Sequence, residues 1–346
     1  MARTLALVAL AAAIAALPAA AARQPSLIVF VRGIESDRGQ LELFTVRGDG
    51  SRVRRLTFDP ADDMYPVWSP NGRHVAALGA GGRLMIQSDD GGRREEIPVH
   101  APAGASEIEW SPTGQWVSYL AERCIDPDDP RSGYTTPGCA DLWVVRPDTP
   151  GELKLVDARV DTLDLAASYS WAPRGGRIVY ELQTSGATML AIVDVETGRK
   201  RGRIRGTAGS ADPAWSPRAD LIAFVRSERR RGHRGVYLVR SDGQGLRAVR
   251  RRGWAERPSW SPDGRRLAYL VAERSTSGNR WGVWVTRPGG GAGRRIATAT
   301  ENWRLVWSPD STRLAWVNAF ERIVVMRADG RGSPRFVVRG QWIDWR

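Results

Sequence analysis

The chain has 346 residues, 42% apolar and 26% charged, which excludes a disordered polymer and leaves room for one large domain or two modest ones. Its formal charge is +13, carried almost wholly by arginine because Lys154 and Lys200 are the only lysines, and it holds fifteen tryptophans. Such a balance reads either as a well-solvated surface or as attraction to an anionic partner such as an envelope polymer or lipid headgroups, with nucleic acid disfavoured.

The first element is a leader. Residues 1–4 form a short basic region, Leu5 to Leu17 an apolar core, Pro18 breaks any helix, and Ala20-Ala21-Ala22 offers the small residues that a signal peptidase needs. The expected organisation is therefore a signal peptide over residues 1–22 and a single domain over 23–346. Such a protein is exported to the periplasm, the cell envelope or the medium. An uncleaved anchor is the alternative, since the apolar run approaches the minimum for a span. No later segment is apolar enough to cross a membrane, and a monomer is expected.

Three strand-like runs follow: LIVFVR from Leu27, LELFTVR from Leu41 and RVRRLT from Arg52. From there the chain repeats itself. A tryptophan followed by a Pro-containing turn stands at Trp68 (WSPNG), Trp110 (WSPTG), Trp171 (WAPRG), Trp215 (WSPRA), Trp260 (WSPDG) and Trp307 (WSPDS). The spacings are 42, 61, 44, 45 and 47 residues. Each copy has one grammar. A short strand ends in the Trp, Ser-Pro plus Asx-Gly makes a tight turn, and two strands and a second Asp/Gly turn lead to a fourth strand. Pro66, Pro213 and Pro258 each stand two residues before the Trp, which suits an edge strand because proline cannot donate to a ladder.

Four antiparallel strands every 45 or so residues, with almost no helical periodicity, make an all-β chain of propeller blades. The first blade lacks only its innermost strand, and the C-terminal QWIDWR supplies one. Trp345 falls 38 residues after Trp307, where a seventh repeat Trp belongs. The expectation is a seven-bladed β-propeller whose C-terminal strand joins the first blade, with six or eight blades as alternatives.

The long spacing holds an insertion bounded by Cys124 and Cys139, with a strand-like run on either side. If those runs pair as a hairpin, the cysteines face each other at its stem. A disulfide there closes a loop of about 15 residues and contributes on the order of 3 kcal/mol in the chain-entropy model. Two buried free thiols are the alternative.

The WSPDG-type turns resemble the WD40-like β-propeller repeat of the TolB family, which also occurs in the propellers of prolyl-oligopeptidase-type enzymes. The resemblance covers essentially all of the chain past the leader. It implies a propeller alone, without the α/β domain that precedes it in TolB proteins or the hydrolase domain of the peptidases. A Gly-x-Ser-x-Gly nucleophile turn does not occur.

Chemistry-bearing residues are sparse. His74 falls on a second strand, His100 follows a fourth, and His233 sits in the basic run ERRRGHRG; none shows a nucleophilic arrangement. RPGGGAG from Arg287 opens no helix and reads as a turn. No catalytic residue, metal ligand or cofactor is expected. The acidic loops FDPADD and IDPDDP are the places where Ca²⁺ would bind if it does, although solvated turn carboxylates account for them.

The long, irregular loops all fall between second and third strands or between blades, on the face opposite the Trp-Ser-Pro turns. Asp59, Asp62, Asp63, Asp126, Asp128 and Asp129 give early blades an acidic side. Arg229, Arg230, Arg231, His233, Arg234, Arg250, Arg251 and Arg252, with Trp254 beside them, give the fifth a basic one. The candidate partner site is Arg229, Arg230, Arg231, His233, Arg234, Arg251, Arg252 and Trp254, since Arg and Trp are common interface anchors. The reading is a non-enzymatic binding or scaffolding module for a protein or anionic envelope polymer. The alternative is a propeller enzyme, a hydrolase or lyase on saccharides or lactones, with an acidic or metal site at the channel mouth.

Overall fold

The computed structural model describes residues 26–34, 40–58, 60–79, 83–99, 105–122, 140–149, 153–160, 169–183, 188–228, 232–273, 280–299 and 304–346. They form seven four-stranded antiparallel sheets arranged as a ring, a seven-bladed β-propeller. Among the described residues there is no helix, and so none long and apolar enough to cross a membrane. Blades two to seven each take a continuous stretch: residues 63–98, 105–160, 169–203, 210–250, 255–299 and 306–339. In each, the innermost strand comes first and ends on the repeat tryptophan.

The first blade closes the ring as the sequence suggests. Its inner strand is the C-terminal Gln341–Trp345, which pairs antiparallel with Leu27–Ile34, with Ile28 opposite Trp345. Backbone bonds in both directions between Leu27 and Arg346 seal the junction. Closure covers the edges that an open ring would expose to other strands.

The core lies between blades rather than within them. Seven hydrophobic clusters occupy the seven interfaces; six contain the repeat tryptophan of the later blade, and partly buried Trp110 packs against the remaining one. The indoles also stitch neighbours together. Trp260 Nε1 donates to Ala214 O of the fifth blade at 2.9 Å, and Trp307 Nε1 donates to Ser259 O of the sixth at 3.0 Å.

The serine of the motif explains itself in the same way. Ser261 Oγ donates to Asp263 Oδ1 at 2.5 Å and accepts the Arg266 amide at 2.9 Å; Ser308 does the same with Asp310 and Arg313. Both hydroxyls are buried, so the turn supplies the partners that water would otherwise provide. Gly72, Gly114, Gly175 and Gly264 take positive φ near 70° in these turns, a region that costs other residues.

Two sequence readings change. RPGGGAG is not a turn throughout, because Arg287 pairs with Gly290 and the outer strand Gly290–Ala299 begins inside the glycine run. Nor are the acids of FDPADD simply solvated: Asp62 Oδ1 accepts the Leu41 amide at 2.8 Å, and Asp63 is buried in the strand Asp63–Trp68. The insertion's flanking strands pair, with Glu122 opposite Ala140, while Cys124 and Cys139 lie outside the described residues, as do the leader and the IDPDDP loop.

Candidate functional site: a ring of unlike side chains in the central channel

The innermost strands carry a shared irregularity. In the second, third, fifth and sixth blades two residues of the inner strand face one residue of its neighbour, a bulge that falls two and three positions before the tryptophan. The C-terminal strand has it too. Proline fits the second bulge position, as in Pro66, Pro213 and Pro258, because no ladder partner awaits its missing N–H. The residue before it takes the left-handed conformation: Tyr65, Glu107, Asp212, Arg257 and Trp342 have φ between 39° and 54°. Five non-glycine residues held there at equivalent positions are a repeated constraint, and such strain gathers at functional positions.

These five side chains and Arg304, at the equivalent position of the seventh blade, line one cavity of about 490 Å³. The equivalent position in the fourth blade, residue 168, lies outside the described residues. Around the channel the order is Trp342, Tyr65, Glu107, then Asp212, Arg257 and Arg304. Trp342 and Tyr65 form an aromatic shelf, their rings 5.1 Å apart and tilted by 52°. A second cavity of about 320 Å³ opens toward the Trp-Ser-Pro turns, and Glu109 and Arg304 line both.

The charged groups fall into two kinds. Asp212 and Asp344 are engaged: Asp212 Oδ2 accepts from Arg234 at 3.4 Å and from the Arg257 amide at 3.1 Å, and Asp344 Oδ2 accepts the Trp68 amide at 2.8 Å. By contrast, among the described residues no partner lies within hydrogen-bonding distance of the guanidiniums of Arg257 and Arg304 or the carboxyls of Glu107 and Glu109. They interact through the field alone. Burial lifts the Glu109 carboxyl to about 7, aided by Glu107 and Asp344 and opposed by Arg304. Burial also raises Glu107, against Arg304 and Arg257. Arg304 lies in the channel with part of its surface still accessible. Burial works against its charge, but Asp344, Glu109 and Glu107 outweigh that and hold it protonated. Tyr169, between them, donates to Glu107 O and is buried.

On the loop face, the described members of the basic run converge. Arg234 and Trp254 form a parallel bridge, with the guanidinium 5.8 Å from the indole ring. Trp254 is 43% exposed, and its Nε1 donates to Glu256 Oε1 at 2.8 Å. Arg251 and Arg252 are exposed and His233 is half-buried. Arg234 differs from its neighbours. It is buried and paired with Asp212 and Glu256, each at 3.4 Å, so its charge supports the loop and the ring from inside. Arg229, Arg230 and Arg231 lie outside the described residues.

No family model matches the chain. A TolB homologue from Chlorobium luteolum is 33% identical over 102 residues, which cover 29% of this chain and 22% of that protein. The chain thus matches less than a quarter of that relative's length. TolB from Acinetobacter baumannii shares the fold over 93% of this chain and 82% of its own, with a TM-score of 0.55 and 13% identity. The chain is a TolB-like β-propeller. An oligogalacturonate lyase from Vibrio parahaemolyticus is also similar, over 90% of this chain and 86% of its own, with a TM-score of 0.61 and 14% identity. At such identities these solved structures speak to the TolB-like fold alone.

Sequence reasoning pointed to the loop-face residues and did not single out the channel ring. The signal was present: three residues before the repeat Trp, the copies read Tyr65, Glu107, Ser168, Asp212, Arg257, Arg304 and Trp342, six of the seven aromatic or charged. Their convergence depends on the bulge, which periodicity does not reveal.

Proposed function

We propose that this chain is an exported, non-enzymatic binding module that displays a basic, tryptophan-bearing patch to an acidic protein or an anionic envelope polymer. The patch comprises Arg229, Arg230, Arg231, His233, Arg234, Arg251, Arg252 and Trp254. The observation that carries this reading is the exposed indole of Trp254 beside exposed Arg251 and Arg252, braced from below by buried Arg234. A large aromatic held in place among guanidiniums loses little side-chain freedom on docking. The basic chain as a whole adds long-range attraction. The leader over residues 1–22 and the single domain over 23–346 belong to this reading, as does a Cys124–Cys139 disulfide, which the pairing of Glu122 with Ala140 supports.

The test is crosslinking capture from the native envelope, at low and high salt, with the wild type and an Arg251→Glu/Arg252→Glu variant. Capture should fall about tenfold in the variant, as expected for losing charged anchor contacts, and its salt dependence should flatten. Equal capture with an equal salt slope would remove the patch from the reading.

A further inference from the structure

We propose that the central channel is a binding site for a short zwitterionic peptide, two or three residues long, free at both ends and carrying a large apolar side chain. This goes beyond the partner patch and does not depend on it.

The argument rests on which groups remain unengaged and on their order around the ring. Arg257 and Arg304 stand on adjacent blades, the sixth and seventh, and neither guanidinium has a hydrogen-bonding partner among the described residues. Two neighbouring guanidiniums offer paired donors to one carboxylate. Next around the ring come the first and second blades, which contribute the Trp342–Tyr65 shelf. Apolar walls at Pro66 and Ile343 continue that surface. The third blade then presents Glu107, with Glu109 two residues further along the same strand. Among the described residues neither carboxyl receives a hydrogen bond, and an ammonium supplies up to three donors.

In a ring of seven, the third blade lies across the channel from the sixth and seventh. The two poles are therefore separated by the aromatic shelf rather than adjacent. A free α-amino acid holds its ammonium and carboxylate on one carbon, which suits two separated poles poorly. A dipeptide or tripeptide spaces the charges apart and places a side chain between them. The cavity of about 490 Å³ accommodates a ligand of that size. The remaining ring acid, Asp212, is held by Arg234 and the Arg257 amide, so it fixes the wall and leaves the ligand to the others.

Electrostatics supports the same assignment. Opposite charges that are enclosed together and yet not paired face a desolvation cost, and a ligand carrying the complementary pair relieves it at both ends. Glu109 faces Glu107, Asp344, Arg304 and Tyr169, and an ammonium arriving beside it would lower its proton affinity. Binding near pH 7 should then release protons.

The experiment is isothermal titration of the full chain with the dipeptide Ala-Phe, N-acetyl-Ala-Phe and Ala-Phe amide. Ala-Phe should bind one to one, and capping either end should weaken binding about tenfold or more, the loss of a charged hydrogen bond. Arg304→Gln should weaken Ala-Phe and abolish its advantage over the amide, while Glu107→Gln should abolish its advantage over the acetylated form. Arg304→Lys, which keeps the charge, controls for folding together with the far-UV spectrum. At pH 7 the measured enthalpy should vary with buffer ionisation enthalpy. No saturation by Ala-Phe at millimolar concentration would overturn the proposal. So would equal affinity for all three peptides, or variants that leave the preferences intact. Such a failure would leave envelope capture by the loop-face patch untouched.

Discussion

The Trp-Ser-Pro turns and the channel ring are three residues apart in sequence and obey opposite rules. At the turns one solution recurs: an indole packed against the preceding blade and, in the five blades where Ser follows the Trp, a buried serine hydroxyl such as those of Ser261 and Ser308 bonded within its own turn. At the ring one backbone bulge recurs while the side chains change around the channel, with aromatics, acids and arginines in separate arcs. Repetition at the turns buys a rigid ring. Variation is tolerated at the bulge because the side chain there faces a channel rather than a packed neighbour, so specificity can be placed at those positions without disturbing the blades.

The sharpest way to break this contrast is to remove closure. Deleting Gln341 to Arg346 strips the first blade of its inner strand and takes Ile343 and Trp345 out of the last interface. The melting temperature should fall by on the order of 10 °C or more, as followed by circular dichroism. An unchanged transition would mean that closure contributes nothing.

A single indole comes next. Trp260→Ala should destabilise the domain by about 3–5 kcal/mol, the cost typical of emptying a large aromatic site, measured by denaturant unfolding. Trp260 lies in the cluster between the fifth and sixth blades, so the effect should appear without any change in ring chemistry.

The smallest effect belongs to the ring. Glu109 titrates near 7 in the folded chain, above its unfolded value. A raised carboxyl means that the folded state binds the proton more tightly. Stability from this group is therefore greatest below the unfolded pKa and declines as pH rises through about 7. Glu109→Gln should flatten that decline, giving a variant close to wild type at pH 4 and more stable at pH 8, as read from melting curves across pH. A variant with an unchanged pH slope would show that burial does not hold the Glu109 carboxyl up.

Much of the architecture was legible in the chain. Six Trp-centred copies and Trp345 give seven blades, because each interface needs one large apolar wedge and each turn needs a residue for the left-handed region. Proline two residues before the tryptophan marked an inner edge strand, and the structure adds the bulge that makes proline welcome there. The basic run was legible as composition, whereas the burial of Arg234 was not. Whether an arginine is presented or enclosed depends on Asp212 and Glu256, which stand more than twenty positions away.

The sequence by itself determined the number of blades, their strand order and the point where the ring closes, since these follow from local turns and a repeated hydrophobic wedge. Only the tertiary structure decided what occupies the channel. Tyr65, Glu107, Asp212, Arg257, Arg304 and Trp342 are spread over nearly 280 positions and meet because five bulges and the equivalent position of the seventh blade turn inward on one channel. Charges so far apart along the chain acquire their meeting place, and Glu109 its raised proton affinity, from ring closure alone.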